Sequence, residues 1–339
     1  MKDSGKVLGV GVVGLGVGEQ HARAFHAHPA CEVRSLCDLD AGRARALAVE
    51  FPRCTVAGRF EEMLADPRLD VLVIASFDDA HYRQVIAALQ AGKHVFVEKP
   101  VCRTLSELAD IKARWQAEGG RLKLHSNLVL RAAPLYVWLR EQIRAGALGR
   151  IYAFDGDYLY GRLHKITEGW RKDVSEYSVM QGGGIHLVDL MLWLTGEIPV
   201  AVSGIGNCIC TSGTAFRHDD FVAATFEFDS GLVARITANF GCVHRHQHVM
   251  RVFGTQATFL YDDAGPRWHR SRDPEVPAEQ LTQPPLPAHK GDLVPEFVSA
   301  ILEDADDGAQ TRGFFDGISA CVAADRAVAT GTKERIEYV

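Results

Sequence analysis

No stretch of the 339 residues approaches the roughly 18 consecutive apolar residues that a membrane-spanning helix needs, so a membrane protein is not expected. No basic block occurs either. Lysine and arginine (37) are outnumbered by aspartate and glutamate (43), and the formal net charge of −6 argues against a nucleic-acid partner. The eight cysteines, at 31, 37, 54, 102, 208, 210, 242 and 321, have no framework spacing. Only Cys208 and Cys210 lie close together, and that spacing is not a usual zinc ligand pair. Scattered thiols point to a reducing, cytoplasmic setting. Internal repeats, heptads and low-complexity tracts are missing too. What remains is an ordinary globular composition, 47% hydrophobic and 24% charged, in a chain long enough for two domains.

The N-terminus imitates a secretory signal, because Lys2 and Lys6 precede an apolar run over 7–18. Five of those twelve positions are glycine, which suits a phosphate-binding turn better than a membrane-inserted helix. Residues 6–13 are expected to form a strand and 20–28 a helix. Between them stands Gly14-Leu15-Gly16-Val17-Gly18-Glu19. A literal G-x-G-x-x-G at Gly9, Gly11 and Gly14 falls inside the strand and is spurious. In the frame that starts at Gly14, the third glycine comes one place early, at Gly18. Glycines there let the backbone approach a pyrophosphate, whose charge meets the helix N-terminus. The next strand, 32–37, ends at Asp38, which lies 22 residues past Gly16, close to the ~20 expected of an acid that binds a ribose 2′-hydroxyl. Asp38 and Asp40 disfavour a 2′-phosphate, so NAD is expected over NADP, with Arg43 and Arg45 as the residues that would reverse the preference.

Helices are expected over 41–50, 61–64 and 81–91, and buried strands over 70–75, 94–97 and 122–127. This alternation with short loops predicts a doubly wound parallel sheet. The strand at 94–97 ends in Glu98-Lys99-Pro100, an amine at the carboxyl end of a central strand, where open α/β sheets bind ligands. A cis Lys99–Pro100 bond would lock the turn there.

Taken together, the glycine turn, Ser76-Phe77-Asp78-Asp79-Ala80-His81, the AGKHVFVEKP run ending at Pro100 and the GGGIHLVDLMLWLTG run from Gly182 to Gly196 resemble the glucose–fructose oxidoreductase / inositol dehydrogenase / rhizopine-catabolism (Gfo/Idh/MocA) family. The likeness runs over essentially the whole chain. It implies a Rossmann domain (1–125) and a second α/β domain (126–339) with an open, mostly antiparallel sheet for substrate binding and oligomerisation. It also implies a nicotinamide cofactor and oxidation or reduction at a hydroxyl of a sugar, cyclitol or glycoside. In that pattern Lys99 is the catalytic lysine and His186 the catalytic histidine. Ser76, His81, Glu98, Asn127, Trp170 and Arg171 join Gly14, Gly16, Val17, Gly18 and Asp38 on the cofactor side. Arg131, Tyr160, Arg162 and Asp189, with Lys99 and His186, are candidates for the substrate side, and no resident metal is expected. A glycosidase that uses its nicotinamide transiently and a non-catalytic NAD-sensing regulator are the alternatives.

The second half departs from the family at one position. Many members carry an aspartate four residues before the histidine, and here Gly182 stands there. Tyr160, Tyr177, Glu176 or Asp189 are open as replacements. The three glycines before Ile185 are expected to allow close approach of a ligand. Residues 131–147 read as an amphipathic helix, and strands are expected over 150–160, 200–208, 221–228, 232–240, 246–253 and 257–261. Residues 274–287 read as a proline-rich loop, and helices over 292–304 and 314–330 close the chain. His244, His246 and His248 alternate, which reads as an exposed or interface stripe rather than a metal set. Phe221, Val222, Phe226, Phe228, Val233, Ile236 and Phe240 are expected to place apolar surface on both sheet faces, and hence to drive a homodimer or homotetramer.

Overall fold

The computed structural model describes residues 7–306 and 308–339. Lys2 and Lys6, the charged part of the signal-like pattern, lie outside the described residues. The chain forms two units, Met1–Ala132 with Pro287–Phe314 and Val339, and Ala133–Leu286 with Phe315–Tyr338. The expected boundary at 125 therefore moves to 132, and the second domain is not one continuous stretch. Among the described residues no helix is long and apolar enough to cross a membrane.

In the first unit, strands β1 (Leu8–Val13), β2 (Cys31–Cys37), β3 (Thr55–Val56), β4 (Val71–Ile74), β5 (His94–Val97) and β6 (Leu124–Ser126) form a six-stranded sheet in the order β3-β2-β1-β4-β5-β6. Every pairing is parallel. β1 and β4 are buried along their whole length and β5 from Val95 to Val97, which is why they read as apolar runs. Strand order reverses beside β1, the point where such sheets bind ligands outside the carboxyl ends of their strands. Those ends carry Gly14–Gly18, Asp38, Ser76 and Glu98–Lys99.

The helix Gly18–Ala27 begins two residues earlier than its apolar pattern suggests. It can do so because Gly18 lies flat on the sheet; a Cβ there would stand 3.2 Å from both Ala75 Cβ and Val12 Cγ1. Asp78 and Asp79 occupy the first turn of helix Asp78–Gln90, favourable to its dipole, so part of the loop expected before His81 is helical. Helix Leu105–Ala117 starts at a reciprocal Thr104–Glu107 capping box.

The return of 287–314 to this unit has a simple cause. Helix Val294–Leu302 presents Val294, Phe297 and Val298 to the core that Phe25 and Phe96 build. The Phe297 ring centroid lies 5.5 Å from that of Phe96 and 5.0 Å from the His125 ring.

The second unit is built on a nine-stranded sheet: β7 (Ile151–Leu159), β8 (Ala201–Asn207), β9 (Phe221–Glu227), β10 (Val233–Asn239), β11 (Gln247–Gly254), β12 (Thr258–Asp262), β13 (Gly265–His269), β14 (Glu279–Gln280) and β15 (Glu334–Arg335). Its order is β14-β13-β12-β11-β7-β10-β9-β8-β15, antiparallel except where β7 lies parallel to β10. The last three strands are not visible in the sequence pattern: two are only two residues long, and β13 opens with a glycine and a proline. Pro134 takes the first turn of helix Pro134–Arg144, leaving Arg131 in a preceding 3₁₀ turn rather than in the expected longer helix.

Apolar residues do lie on both faces, though unequally: Phe221 and exposed Val233 alternate onto the open face with Arg235 and Thr237, and the rest are inside. Val222, Phe226, Phe228, Ile236 and Phe240 are all buried, and of these Val222, Phe226 and Ile236 lie at in-facing strand positions under the helical layer. The opposite face carries a charged lattice at its centre. Arg235 and Arg251 both donate to Asp157, and Thr237 adds a third bond.

The returning helix yields a direct test. Phe297→Ala should lower unfolding free energy by about 3–5 kcal/mol, the cost of truncating a fully buried phenylalanine. Urea denaturation checks this, and a loss below about 1 kcal/mol would place the helix outside the core.

Candidate active site

At the carboxyl end of β1 each glycine has its own task. Gly14 has φ +81°, and a side chain there would collide with the Ala75 carbonyl. Gly18 brings the helix onto the sheet. Gly16 is exposed, with nothing within 4 Å of where its Cβ would stand, so backbone at that point is open to a ligand. Val17 already has helical dihedrals, φ −81° and ψ −26°. Asp38 Oδ2 accepts from the Leu15 N–H at 2.6 Å, and Oδ1 accepts from the Asp40 N–H at 2.8 Å. Asp38 thus fastens the glycine turn, and each oxygen retains acceptor capacity for a hydroxyl. Asp40 is turned into its own helix as the N-cap, accepting from the Gly42 and Arg43 N–H groups, so Asp38 alone faces the turn. An open glycine, a helix N-terminus and a strand-end carboxylate fit a dinucleotide.

At the end of β5 the Lys99–Pro100 peptide is cis. Glu98 precedes it and is enclosed. His21 Nε2 lies 2.8 Å from Glu98 Oε1, Asn127 Nδ2 donates to the same oxygen at 2.8 Å, and the Lys99 N–H donates to Oε2 at 3.3 Å. Asn127 also donates to the Lys290 carbonyl at 3.2 Å, on the segment that returns to this unit. Burial pushes the Glu98 carboxyl up, but the His21 hydrogen bond and charge, then the Lys99 charge and the Asn127 bond, outweigh it and hold the group at about 2. Lys99 therefore projects from a backbone anchored by a largely enclosed anion.

His21 was not singled out in the sequence. The signal was available, since it shares a helical face with Gly18, Ala22 and Phe25, all buried.

Two of the expected site residues in this unit are buried. His81 is fully buried, with Nδ1 2.7 Å from the Pro100 carbonyl and Nε2 3.1 Å from that of Ser76. It ties the loop after β4 to the turn after β5. Arg131 is also buried, where Nη1 donates to Gln310 Oε1 at 2.6 Å, because the 3₁₀ turn aims it at the helix Gly308–Thr330 rather than outward. Ser76 remains half-exposed and donates to Gln84 at 2.6 Å.

In the second unit Met180–Gly184 is a widened, π-type turn leading into the buried helix Ile185–Thr195. The glycines permit close approach of the protein's own side chains. Side chains at Gly182, Gly183 and Gly184 would overlap the Tyr177 hydroxyl, the Tyr158 and Phe240 rings, and Met180 respectively. His186 stacks on Tyr158 at 6.2 Å between centroids and meets His248 edge-on at 5.7 Å. His246 lies 4.8 Å from His248 and 5.2 Å from Tyr158. Tyr160 stacks on Tyr158 at 6.0 Å, and Arg162 lies 5.7 Å above the Tyr160 ring.

The histidine stripe is thus dismantled. His244 turns to Asp263 at 3.0 Å, while His246 and His248 join the His186 group. Among the described residues no three histidine, cysteine or acidic side chains converge on a metal position. Asp189 is buried one turn beyond His186. Trp170 and Arg171 form a pair, the guanidinium 4.6 Å from the indole, and Arg171 Nε donates to the Tyr177 hydroxyl at 2.9 Å. Behind the turn, Ser178 and Gln181 donate to Asp325 at 2.7 and 2.9 Å, while burial pushes that carboxyl up to about 6.

The fold and the strand-end site define a dinucleotide-binding protein with a second, sheet-based domain. Comparison with known families makes this specific. Residues 8–126 match the oxidoreductase family model with an NAD-binding Rossmann fold, and residues 136–260 match the GFO/IDH/MocA C-terminal domain. The two matches together cover well over half of the chain, and the protein belongs to the Gfo/Idh/MocA oxidoreductases. It is 30% identical over 194 residues to an inositol 2-dehydrogenase/D-chiro-inositol 3-dehydrogenase of Lactiplantibacillus plantarum, covering 56% of this chain and 53% of that protein. It is 25% identical over 268 residues to 2,7-anhydro-N-acetylneuraminate hydratase of Escherichia coli, covering 76% and 68%. The alignments thus span about half the length of the inositol dehydrogenases and about two thirds of the hydratase. A levoglucosan dehydrogenase in complex with NADH and levoglucosan superposes with a TM-score of 0.84 at 20% identity, over 98% of this chain and 100% of that one, a likeness of fold.

Because the folded pKa of Glu98 lies below its ordinary 4.5, the stability it contributes is present above that pH and is lost as pH falls towards about 2. Glu98→Gln should therefore weaken the protein at neutral pH and flatten the acid limb of its urea midpoint between pH 7 and pH 3. Parallel limbs in the two proteins would mean that Glu98 is not the ionised hub described.

Proposed function

We propose that the protein is an NAD-dependent oxidoreductase that interconverts a secondary hydroxyl and a ketone on a sugar, cyclitol, glycoside or aminoglycoside, with Lys99 as general acid/base and His186 assisting. The observation that carries this is the Lys99 anchorage, an amine at the end of β5 whose backbone is fixed by the buried His21–Glu98–Asn127 set. The inositol dehydrogenase relatives support the substrate class, and the Asp38 carboxylate supports NAD over NADP by its charge against a 2′-phosphate. Gly14, Gly16, Val17, Gly18 and Asp38 would hold the dinucleotide, with Ser76 and Glu98 nearer the reacting end. The bound nicotinamide supplies hydride acceptance or donation. Lys99 takes the hydroxyl proton in the oxidative direction and returns it in the reductive one. His186, stacked on Tyr158 and flanked by His248, is held to a single orientation and presents its imidazole to the hydroxyl. A cytoplasmic setting is consistent with eight unpaired cysteines.

We also propose that the open face of the nine-stranded sheet meets a second copy of the chain. Support comes from exposed Tyr152, Ile205 and Val233 on that sheet. The charges at its centre are already paired, which lowers the cost of covering them. Light scattering at micromolar concentration should give a dimer or tetramer, and a monomer would remove this part of the reading.

The catalytic part is tested by Lys99→Ala. With a substrate found by NADH formation across inositols, free sugars, nucleotide sugars and aminoglycosides, turnover should fall roughly 10²–10⁴-fold while NAD affinity stays near wild type. Unchanged turnover would defeat the assignment, and lost NAD binding would make Lys99 a cofactor anchor instead.

A further inference from the structure

The glycine at 182 leaves a place beside His186 that another residue fills. Four residues bring a helix round to nearly the same direction, whether the turn is α or π, so a side chain at 182 would project beside that of His186. Gly182 has none, and the position its Cβ would take is occupied by the Tyr177 hydroxyl.

That hydroxyl is held rather than merely nearby. Arg171 Nε donates to it at 2.9 Å, and the guanidinium is itself stacked against Trp170 at 4.6 Å and lies 5.8 Å from the Tyr177 ring centre. The Tyr177 ring is boxed by Trp170 at 6.2 Å, Phe216 at 5.8 Å and Phe240 at 6.3 Å. Phe240 in turn packs against Tyr160 at 4.5 Å and Tyr158 at 5.6 Å, and Tyr158 is the ring on which His186 stacks. A continuous aromatic framework therefore joins Tyr177 to His186. The Tyr158 phenol, pushed up by burial, also feels Tyr177 and Arg171, so these polar groups share one neighbourhood.

We propose that the Tyr177 hydroxyl, fixed by Arg171 in the place a side chain at Gly182 would fill, hydrogen-bonds the substrate beside His186. This rests on the oxidoreductase reading above. A phenol both donates and accepts, so it serves an alcohol and a ketone alike. It does so without adding a fixed negative charge at the 182 position, while Asp189 lies buried one turn beyond His186 on the same helix. Gly182 is then required for space, and Tyr177 for chemistry.

Wild type, Tyr177→Phe and Gly182→Ala, each purified as the full chain, are compared for NAD affinity by fluorescence titration, melting temperature, and kcat/KM against pH with the substrate found in the panel. Tyr177→Phe keeps the ring and its packing, so NAD affinity and melting temperature should stay near wild type. Its kcat/KM should fall roughly tenfold or more, the loss of one enclosed hydrogen bond, with an altered pH profile. Gly182→Ala displaces the hydroxyl without removing it and should reproduce the loss, which keeps the test decisive if Tyr177→Phe folds poorly. An active wild type matched by Tyr177→Phe in both kcat/KM and pH profile overturns this proposal alone. A wild type that binds NAD but turns over nothing in the panel overturns the oxidoreductase reading, and this one with it.

Discussion

The largely enclosed Glu98 carboxylate is the interaction on which the first unit's site depends. A carboxylate mostly removed from water is tolerable only when its oxygens are answered by donors, and here the answers come from three separate pieces of chain. His21 belongs to the helix that follows the glycine turn, Asn127 to the end of β6, and the Lys99 amide to Glu98's own turn. Asn127 also binds the Lys290 carbonyl on the returning segment. The anion therefore fixes the helix whose N-terminus faces the dinucleotide position and the backbone from which the lysine projects. His81 completes the arrangement from the other side, pinning the Pro100 and Ser76 carbonyls. Residues that look like cofactor ligands in the sequence act in part as the frame.

The second unit solves a different problem by different means. Its histidine is carried on a helix buried almost along its whole length, where orientation is set by packing rather than by charge. Gly182 and Gly183 let aromatic side chains come against the backbone before that helix, Gly184 does the same for Met180, and Tyr158 in turn stacks on the imidazole. Replacing packing with charge at this point would require burying an ion beside His186. One carboxylate nearby, Asp325, sits behind the turn, bonded by Ser178 and Gln181 and raised by burial, and Asp189 is buried one turn beyond His186.

How much of this was legible in the sequence depends on the range of the forces involved. Strands β1, β4 and β5 are buried on both faces, so their apolar runs announce them, and the Asp38 and Lys99 positions follow from strand ends. The two-residue strands β3, β14 and β15 exist through pairing with distant neighbours and carry no local pattern. The fate of Arg131 was illegible for the same reason. Its partner Gln310 is 179 residues away, at the start of the helix that follows the one Phe297 anchors. His246 and His248 alternate as an exposed stripe would, yet they are drawn to Tyr158 by tertiary packing, while His244 two residues earlier goes to Asp263.

The glycine turn shows how a departure from a motif can preserve its physics. In the usual spacing the third glycine permits close packing of helix on strand. Here Gly18 performs that task one residue early, against Ala75 and Val12, and Glu19 takes the position that would otherwise need to be small. Moving the contact forward starts the helix earlier, at Gly18 with Val17 already helical. Glu19 is then free to pair with Arg23 one turn on, and Arg23 reaches Glu50 as well. The displaced glycine thus costs the site nothing, since the open position at Gly16 and the Asp38 anchor of Leu15 are untouched. At Gly182 the reasoning runs the other way: the motif's side chain is gone, and the space is not left empty but handed to a residue five positions earlier. In both cases the constraint that persists is the local packing geometry, and the residue that meets it changes.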